Sequence, residues 1–593
     1  MKILQHLGIA LFIAGFGFFN LSFFFSTYTL NQKVIEQTVS DEAQQAALKQ
    51  TASDMLNREY NLNFPFLSDL NSAIDEANTL IREKYRVTPS DVNNIMESLS
   101  GNTYQLAVLD EVFNADQETG AFKKKITGDY TGWMDGKAYN SSEQLRSQLE
   151  NTVASINKDI VKQKGFSSYA LKPLKTSIAR EASSGVVQEY TTPVFLLTYL
   201  VIILGALMYI LPKATAPAGI KNNGIFFSSF KNRGWLGVLI GSYLITFYIF
   251  LYFFPQYMVN WIIMVDPLSY FLKGSEAGEF FLYGFLYTLC ILVMGIRMMM
   301  HYRHSNYHLV RTGSVMFFQT AFAFLIPEIM IRLNRPYFDF KNIWPLDYDF
   351  FFPSNLNQLI NEGSLGLFMV AWGIMLIVIG VPVMTYFVGK RWYCSWVCGC
   401  GGLAETLGDP YRQLSDKSLN AWKFERYSIH SVLVFAVVMT AGMIYTFYSG
   451  SGSLFGINTY KVSEAYGFFI GAGFAGVIGT GFYPFMGNRV WCRFGCPLAA
   501  YLGIIQRFKS RFRITTNGGQ CISCGNCSTY CEMGIDVRWY AQRGQNIIRS
   551  SCVGCGVCSS VCPRGVLKLE NGPEEGRFGE PILIGNDSIT VSR

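Results

Sequence analysis

Apolar positions along the chain gather into long runs separated by short polar loops. A helix that crosses a bilayer needs about 20 mostly apolar residues. Eight stretches meet or approach that length: Leu7–Phe25, Pro193–Leu211, Trp235–Phe254, Glu279–Met299, Ser314–Ile331, Leu365–Phe387, Val432–Phe447 and Gly467–Phe485. The seventh is the shortest. The first follows Lys2, is longer than the apolar core of a secretory signal and lacks a small-residue cleavage site, so it reads as an uncleaved anchor. The segment after it, to about Thr192, has the opposite pattern. It is polar, with helix-like stretches at Asp41–Glu59 and Asp69–Tyr85.

Composition sharpens this picture. Only 15% of the 593 residues are charged and half are hydrophobic, against about 25% charged in an ordinary soluble protein. With 48 Phe and 33 Tyr, disorder is excluded. A net charge of +7 is modest and reads as loop charge that sets membrane orientation, not as a nucleic-acid footprint. Lys213, Lys221, Lys231 and Arg233 lie between spans two and three. Arg297, Arg303 and Arg311 lie between spans four and five, and Lys390, Arg391, Arg412, Lys417, Lys423 and Arg426 between spans six and seven. Placing these loops in the cytoplasm puts both termini inside and residues 28–192 outside. Arg332, Arg335 and Lys341 fall on the outer side, so the rule holds on balance.

The outer segment contains no Cys and no His. Haem attachment and Cys/His zinc binding are therefore excluded there, and no flavin-attachment sequence of the Ser-Gly-Ala-Thr type is found. It reads as a helical docking or sensing domain.

The chemistry lies in the last third. Of 14 Cys, none precedes Cys290 and thirteen fall between Cys394 and Cys562. Cys521, Cys524, Cys527 and Cys531 form C-x2-C-x2-C-x3-C, and Cys552, Cys555, Cys558 and Cys562 repeat it, followed by Pro563. This run holds iron–sulfur clusters in bacterial two-cluster ferredoxins. A cuboidal cluster needs four thiolates from different directions. Three close Cys in one loop supply three, and the fourth comes from the other run. One 4Fe–4S cluster thus takes Cys521, Cys524, Cys527 and Cys562, and the second takes Cys552, Cys555, Cys558 and Cys531. A zinc pair is the alternative, but zinc does not require the additional x2-C and x3-C-P. Gly525, Gly554 and Gly556 suit loops that approach sulfides closely. Glu532 stands where Pro usually follows the fourth Cys.

Two further motifs follow spans six and eight: Lys390-Arg391-Trp392-Tyr393-Cys394-Ser395-Trp396-Val397-Cys398-Gly399 and Asn488-Arg489-Val490-Trp491-Cys492-Arg493-Phe494-Gly495-Cys496-Pro497. Both spans run inward, so this is a parallel internal repeat whose Cys pairs meet one membrane face. At i and i+4 each pair can aim two sulfurs in one direction on a helix. Cys394, Cys398, Cys492 and Cys496 are therefore a candidate third redox or metal site, against the alternative of small residues buried at a packing seam. Cys400 is an extra thiol, and Cys290 reads as packing.

These features together resemble the membrane-bound polyferredoxins of the NosR and NapH type, over roughly Leu365 to Glu570. The resemblance implies electron transfer from the membrane quinol pool or a cytoplasmic donor toward a periplasmic redox enzyme or carrier, including a nitrous-oxide reductase system in NosR-like members. Two features depart from it. Gly399 replaces Pro in the first membrane motif, and the outer segment lacks the flavin sequence.

His301, His304 and His308 follow span four at helical spacing and are candidates for metal or proton chemistry, or for plain interfacial polarity. With only His301 and His430 near span ends, haem is not expected. Glu328, after Pro327 in span five, is an ionisable group at membrane depth and the candidate for proton handling at a quinol site; pairing with Arg332 is its alternative. Arg493 is a candidate for tuning cluster potential.

The expected fold is mainly α: an anchor (1–27), an extracytoplasmic, largely helical domain (28–192), a transmembrane bundle with two Cys-x3-Cys motifs (193–510), a double 4Fe–4S ferredoxin-like domain (511–571) and a tail (572–593). The expected protein is an electron-transfer component of a bacterial inner membrane, in contact with lipid and not with nucleic acid. A redox sensor, and a metal reductase or metal-centre assembly factor, are the rival readings.

Overall fold

The computed structural model describes residues 2–99, 101–114, 117–215, 234–389, 391–508, 510–547, 549–571, 584–585 and 588–589. Lys221, Lys231, Arg233, Lys390 and most of the tail lie outside the described residues. The chain divides into two compact units. One comprises Met1–Phe18, Phe195–Phe253 and Val265–Arg593, and the other Phe19–Val194 with Phe254–Met264.

The first unit is a helix bundle joined to the cysteine-rich region. Among the described residues, eight helices are long and apolar enough to cross a membrane: Lys2–Phe24, Thr191–Thr215, Trp235–Phe253, Glu279–His301, Asn306–Arg332, Ser364–Phe387, Leu419–Tyr448 and Thr459–Gly481. These are the eight apolar runs of the sequence. The seventh, expected to be shortest, is the longest at 30 residues. Its first turns carry Lys423, Glu425 and Arg426, which break the apolar run without breaking the helix. Glu425 is buried there by its ion pair with Arg493, at 3.0 Å.

Spans five, six and eight each widen into a π-helical stretch, at Phe318–Leu325, Leu376–Gly380 and Gly467–Ile478. In the first two a proline follows closely. Pro327 and Pro382 lack an N–H for the carbonyl four residues back, and their rings press on that turn. Widening the helix accommodates both effects, and such bulges concentrate at functional sites.

The cysteine-rich end is closed by an antiparallel strand pair, Phe512–Thr516 with Leu567–Asn571, in the register Phe512↔Asn571 to Thr516↔Leu567. Between them lie the two cysteine loops. Each loop leads into a one-turn helix, Asn526–Thr529 and Val557–Ser560, through a left-handed glycine, Gly525 (φ 78°) and Gly556 (φ 76°). A side chain at either position would be strained.

The second unit is largely helical. Its longest helices are Asn63–Tyr85 and Ser142–Gln163. A small antiparallel sheet, with Ser26–Thr29 between Glu59–Tyr60 and Ser183–Gly185, ties its ends together. The expected helix from Asp41 to Glu59 is shorter. Asp41 caps Glu42–Thr51 by accepting from the Ala43 and Gln44 N–H groups, and the chain then turns into the edge strand. The second expected helix begins earlier, at Asn63. The loop after span three belongs to this unit. Asn260 donates to the Ser22 and Phe23 carbonyls, and Trp261 to that of Phe19.

Candidate functional site

The cysteine loops bring the eight ferredoxin-type thiols together in a crossed arrangement. Cys521, Cys524, Cys527 and Cys562 border one small cavity, with Gly525 and Pro563 in its wall. Cys531 has Cys552 as an electrostatic neighbour, and Cys558 has Cys555, Cys552, Cys531 and also Cys527. Cys562 of the second run thus joins three thiols of the first at one cavity, and Cys531 of the first approaches the second run. Burial pushes the Cys527 and Cys531 thiols up to about 11 and raises Cys555 and Cys558 further. Such thiols keep their protons near neutral pH unless a metal displaces them. Among the described residues no group of three or more His, Cys, Asp or Glu is placed to hold a single metal ion.

The two Cys-x3-Cys motifs also converge, but not as helical i, i+4 pairs. Cys394 lies in the short helix Trp392–Trp396, and Cys398 is the extended residue that caps the next helix, Gly399–Thr406. The second motif repeats this, with Cys492 in Val490–Phe494 and Cys496 just before Pro497–Phe508. The break lets Cys398 meet the backbone N–H groups of Cys400 and Gly401, and Cys496 that of Ala499. Cys394 has Cys492, Cys398 and Cys496 as neighbours, and all four are at most 7% exposed.

The repeat is held by a reciprocal exchange. Arg391 of the first motif donates to the Cys492 carbonyl at 3.0 Å, and Arg489 of the second to the Cys394 carbonyl at 3.1 Å. Each arginine precedes its own first cysteine by three residues. The signal was therefore in the sequence, but its pairing across the repeat was not.

The first pair sits deeper than the expected span end. A Cβ on Gly399 would come within 2.8 Å of Gln319 Oε1 and 3.0 Å of Tyr287 Oη. Tyr287 is eight residues into Glu279–His301, about 12 Å along the helix. After span six the chain thus folds back into the bundle, where non-helical backbone is tolerated because protein surrounds it. The same crowding explains why Gly399 stands where the second motif has Pro497. Gln319 also donates to the Val397 carbonyl at 2.7 Å, fixing the turn between the cysteines.

This site is joined to the ferredoxin-like loops. Ser395 donates to the Val553 carbonyl at 2.9 Å, and Tyr307 to that of Gly554 at 2.6 Å. One buried cluster contains Cys394, Cys398, Cys492, Cys496, Cys527, Cys552 and Cys558, with Cys400, Cys521, Cys531, Cys555 and Cys562 packed against it. Cys290 packs elsewhere, beside Ile291, Val315 and Leu403.

Glu532 accounts for the missing proline. It is fully buried and pairs with Arg489 at 3.0 Å and Arg412 at 2.8 Å. From there ion pairs run through Arg489 to Glu405 and Arg311, and through Arg412 to Asp409, Arg297 and His301. Burial alone would raise the Glu532 carboxyl, but Arg412 and Arg489 hold it down at about 2. Lys417, near Cys531, is pushed down to about 8 by burial. The sequence pattern marks Arg297, Arg311 and Arg412 only as loop charge and Arg489 only as part of its motif; their convergence is not legible in it. Arg493 instead pairs with Glu425 and donates to the Asp416 carbonyl.

The histidines do not share a helix face. The helix ends at His301 and restarts at Asn306. His301 faces Asp409 at 3.6 Å, His304 is exposed, and buried His308 stacks on Tyr302 at 4.7 Å and bonds Ser305. His430 is exposed and bonds the Arg426 carbonyl. Arg332 bonds the Phe271 carbonyl, not Glu328. Glu328 lines a cavity of about 630 Å³ that also touches Tyr287, Gln319, Tyr393, Cys398 and Cys400.

Known proteins match the same region. A family model described as a 4Fe-4S binding domain matches residues 370–418 and 466–515, one segment for each Cys-x3-Cys motif. A 4Fe-4S dicluster domain matches residues 513–563, which hold all eight ferredoxin-type cysteines. The putative electron transport protein YccM of Escherichia coli (strain K12) is 28% identical over 174 residues, 28% of this chain and 47% of that protein. The aligned region thus spans about half of the relative's length. No solved structure matches.

Proposed function

As a membrane iron–sulfur protein of the NosR/NapH polyferredoxin type, the chain serves, we propose, to pass single electrons between a quinol or cytoplasmic donor and a redox partner on the outer side of a bacterial inner membrane. The observation that carries this reading is the single buried core that links the thiols inside the bundle to both ferredoxin-type sets. Cys521, Cys524, Cys527 and Cys562 hold one 4Fe–4S cluster, and Cys552, Cys555, Cys558 and Cys531 the other. Cys394, Cys398, Cys492 and Cys496 hold a third iron–sulfur centre. Bound clusters supply one-electron donors and acceptors at potentials set by their surroundings. The chain's own residues supply dry packing, thiol placement and the buried arginines.

Orientation follows the basic loops, with Arg297, Arg303, Arg412 and Lys417 on the cytoplasmic side. Residues 28–192 then form an outer domain suited to docking a partner. In support, the loop Phe254–Met264 between spans three and four belongs to the same compact unit, which that topology places on the outer side.

Iron, acid-labile sulfide and EPR on anaerobically purified protein test the third centre, beside a variant with Cys394, Cys398, Cys492 and Cys496 replaced by Ser. More than the roughly eight irons of two 4Fe–4S clusters, lost to about eight in the variant, is the expected result. Equal iron in both proteins would reduce the buried pairs to packing.

A further inference from the structure

The cavity beside Glu328 is not needed to hold any cluster, yet it opens onto the buried thiol site. At about 630 Å³ it falls within the usual range for small-molecule sites, roughly 300–1,000 Å³. Its walls belong to spans four and five and to the segment after span five. Phe280, Tyr283 and Tyr337 supply flat aromatic surface, and Cys398 and Cys400 also line it. A cavity of this kind among spans suits a planar, lipid-soluble ligand.

Glu328 gives the cavity its chemistry. Its side chain is buried, at 8% exposed, and Oε2 has no hydrogen-bond partner. A buried carboxylate oxygen left unmatched costs stability, a cost that a ligand hydroxyl entering the cavity would offset. The other charged groups facing the cavity are Lys273, Glu279, Asp339 and Lys341. Asp339 and Lys341 are matched with each other at 2.7 Å, and Lys273 lies over the Phe281 ring at 5.4 Å. The π-helical stretch ahead of Pro327 places Gln319 and Ala323 in the wall.

We propose that this cavity binds the quinol headgroup and that Glu328 accepts its hydroxyl protons, an inference that rests on the electron-transfer reading above. The quinol loses two O–H bonds, and its two C–O bonds become C=O. Both protons pass in turn through the Glu328 carboxylate to the half-buried Glu279 carboxylate in the cavity wall and from there to water. The two electrons reduce two oxidised clusters of the same chain, one each. The ring edge nearest Cys398 and Cys400 is the electron exit.

The test compares wild type, Glu328→Gln, Glu328→Asp and Ala323→Trp, all full-length and cluster-loaded. Binding of a fluorescent hydroxyquinoline N-oxide, a quinol analogue, is read by quenching. Cluster reduction is read with ubiquinol, with menaquinol and with dithionite. Iron content and dithionite reduction should be unchanged in all four. Glu328→Gln should slow quinol-driven reduction about a hundredfold or more, the usual weight of a positioned base, and abolish its rise with pH. Glu328→Asp should restore most of the rate. Ala323→Trp, which fills the cavity, should abolish analogue binding. A wild-type rate and pH profile in Glu328→Gln, or undiminished analogue binding in Ala323→Trp, would overturn the inference alone. A wild type reduced by dithionite but by neither quinol would overturn the quinol donor, and the inference with it.

Discussion

Glu532→Gln isolates the buried charge network with almost no change of shape. In the native protein Glu532 answers both Arg489 and Arg412, at 3.0 and 2.8 Å, with no solvent at any of the three side chains beyond 1% exposure. Glutamine keeps one acceptor and the volume but removes the charge. Breaking a buried pair from one side costs about 3–5 kcal/mol, because the partner charge stays buried and unmatched. Part of that cost should fall on the second cluster, since Glu532 follows Cys531, its proposed ligand. The variant should lose that cluster's EPR signal at lower temperature than wild type. Its reduction potential should also rise. A unit of positive charge gained about 10 Å away, at an effective dielectric near 20, favours reduction by about 1.7 kcal/mol, or about 70 mV for one electron. EPR-monitored redox titration of the purified protein reads this directly. An unchanged midpoint together with unchanged thermal loss would refute the claim that Glu532 is the clamp between the ferredoxin-type loop and the membrane repeat.

Three other outcomes follow from the same geometry. Gly389→Ala should loosen the docking of the Phe512 strand, because φ is +95° and the new Cβ would come within 2.0 Å of Phe512 Cβ; faster hydrogen exchange across 512–516 checks it. Ser395→Ala should cost about 1 kcal/mol through the lost bond to Val553, seen as a lower unfolding midpoint with iron content intact. In the second unit, Lys164 pairs with Asp41 and Glu118 at 2.9 and 3.0 Å. Burial opposes the shift at Asp41, but the Lys164 and backbone hydrogen bonds lower its carboxyl. Hydrogen bonds from Lys164 and Tyr85 lower that of Glu118. The stabilisation is therefore present above the ordinary carboxylate range and is lost as pH falls below about 4. Exchange protection of Glu42–Thr51 should drop over that window in wild type and not in Lys164→Met.

The eight spans and both ferredoxin-type runs were legible because each is a local pattern: an apolar run of fixed length, or a cysteine spacing. What escaped is non-local. Glu532 stood out as a departure from a proline, but its partners lie 43 residues away at Arg489 and in the distant loop at Arg412. Periodicity placed Cys394 and Cys398 on one helix face. The actual break between them depends on Gln319 and Tyr287 of other spans crowding Gly399. The seventh span looked short because hydropathy scores Glu425 as a boundary, whereas its pair with Arg493 lets the helix run on. The cavity beside Glu328 had only one trace in the sequence, a lone carboxylate in an apolar run.

That cavity also determines how charge would move. Tyr307, near the start of span five, bonds the ferredoxin-type loop at Gly554. Glu328 lies 21 residues further along the same span (328 minus 307), about 30 Å at helical rise and so about the thickness of the hydrocarbon core. In the proposed reaction, electrons leaving the quinol toward Cys398 and the ferredoxin-type loops move toward one membrane face, while protons leaving through Glu328 reach the other. Turnover should then separate charge across the bilayer. In sealed proteoliposomes with quinol and an electron acceptor for the ferredoxin-type clusters, a potential-sensitive dye should report a membrane potential negative on the ferredoxin side. Dissipating it with an uncoupler should speed the reaction. Turnover with no potential, and no response to uncoupler, would mean that protons and electrons leave on the same face. The path through Glu328 would then be wrong even if the quinol occupies the cavity.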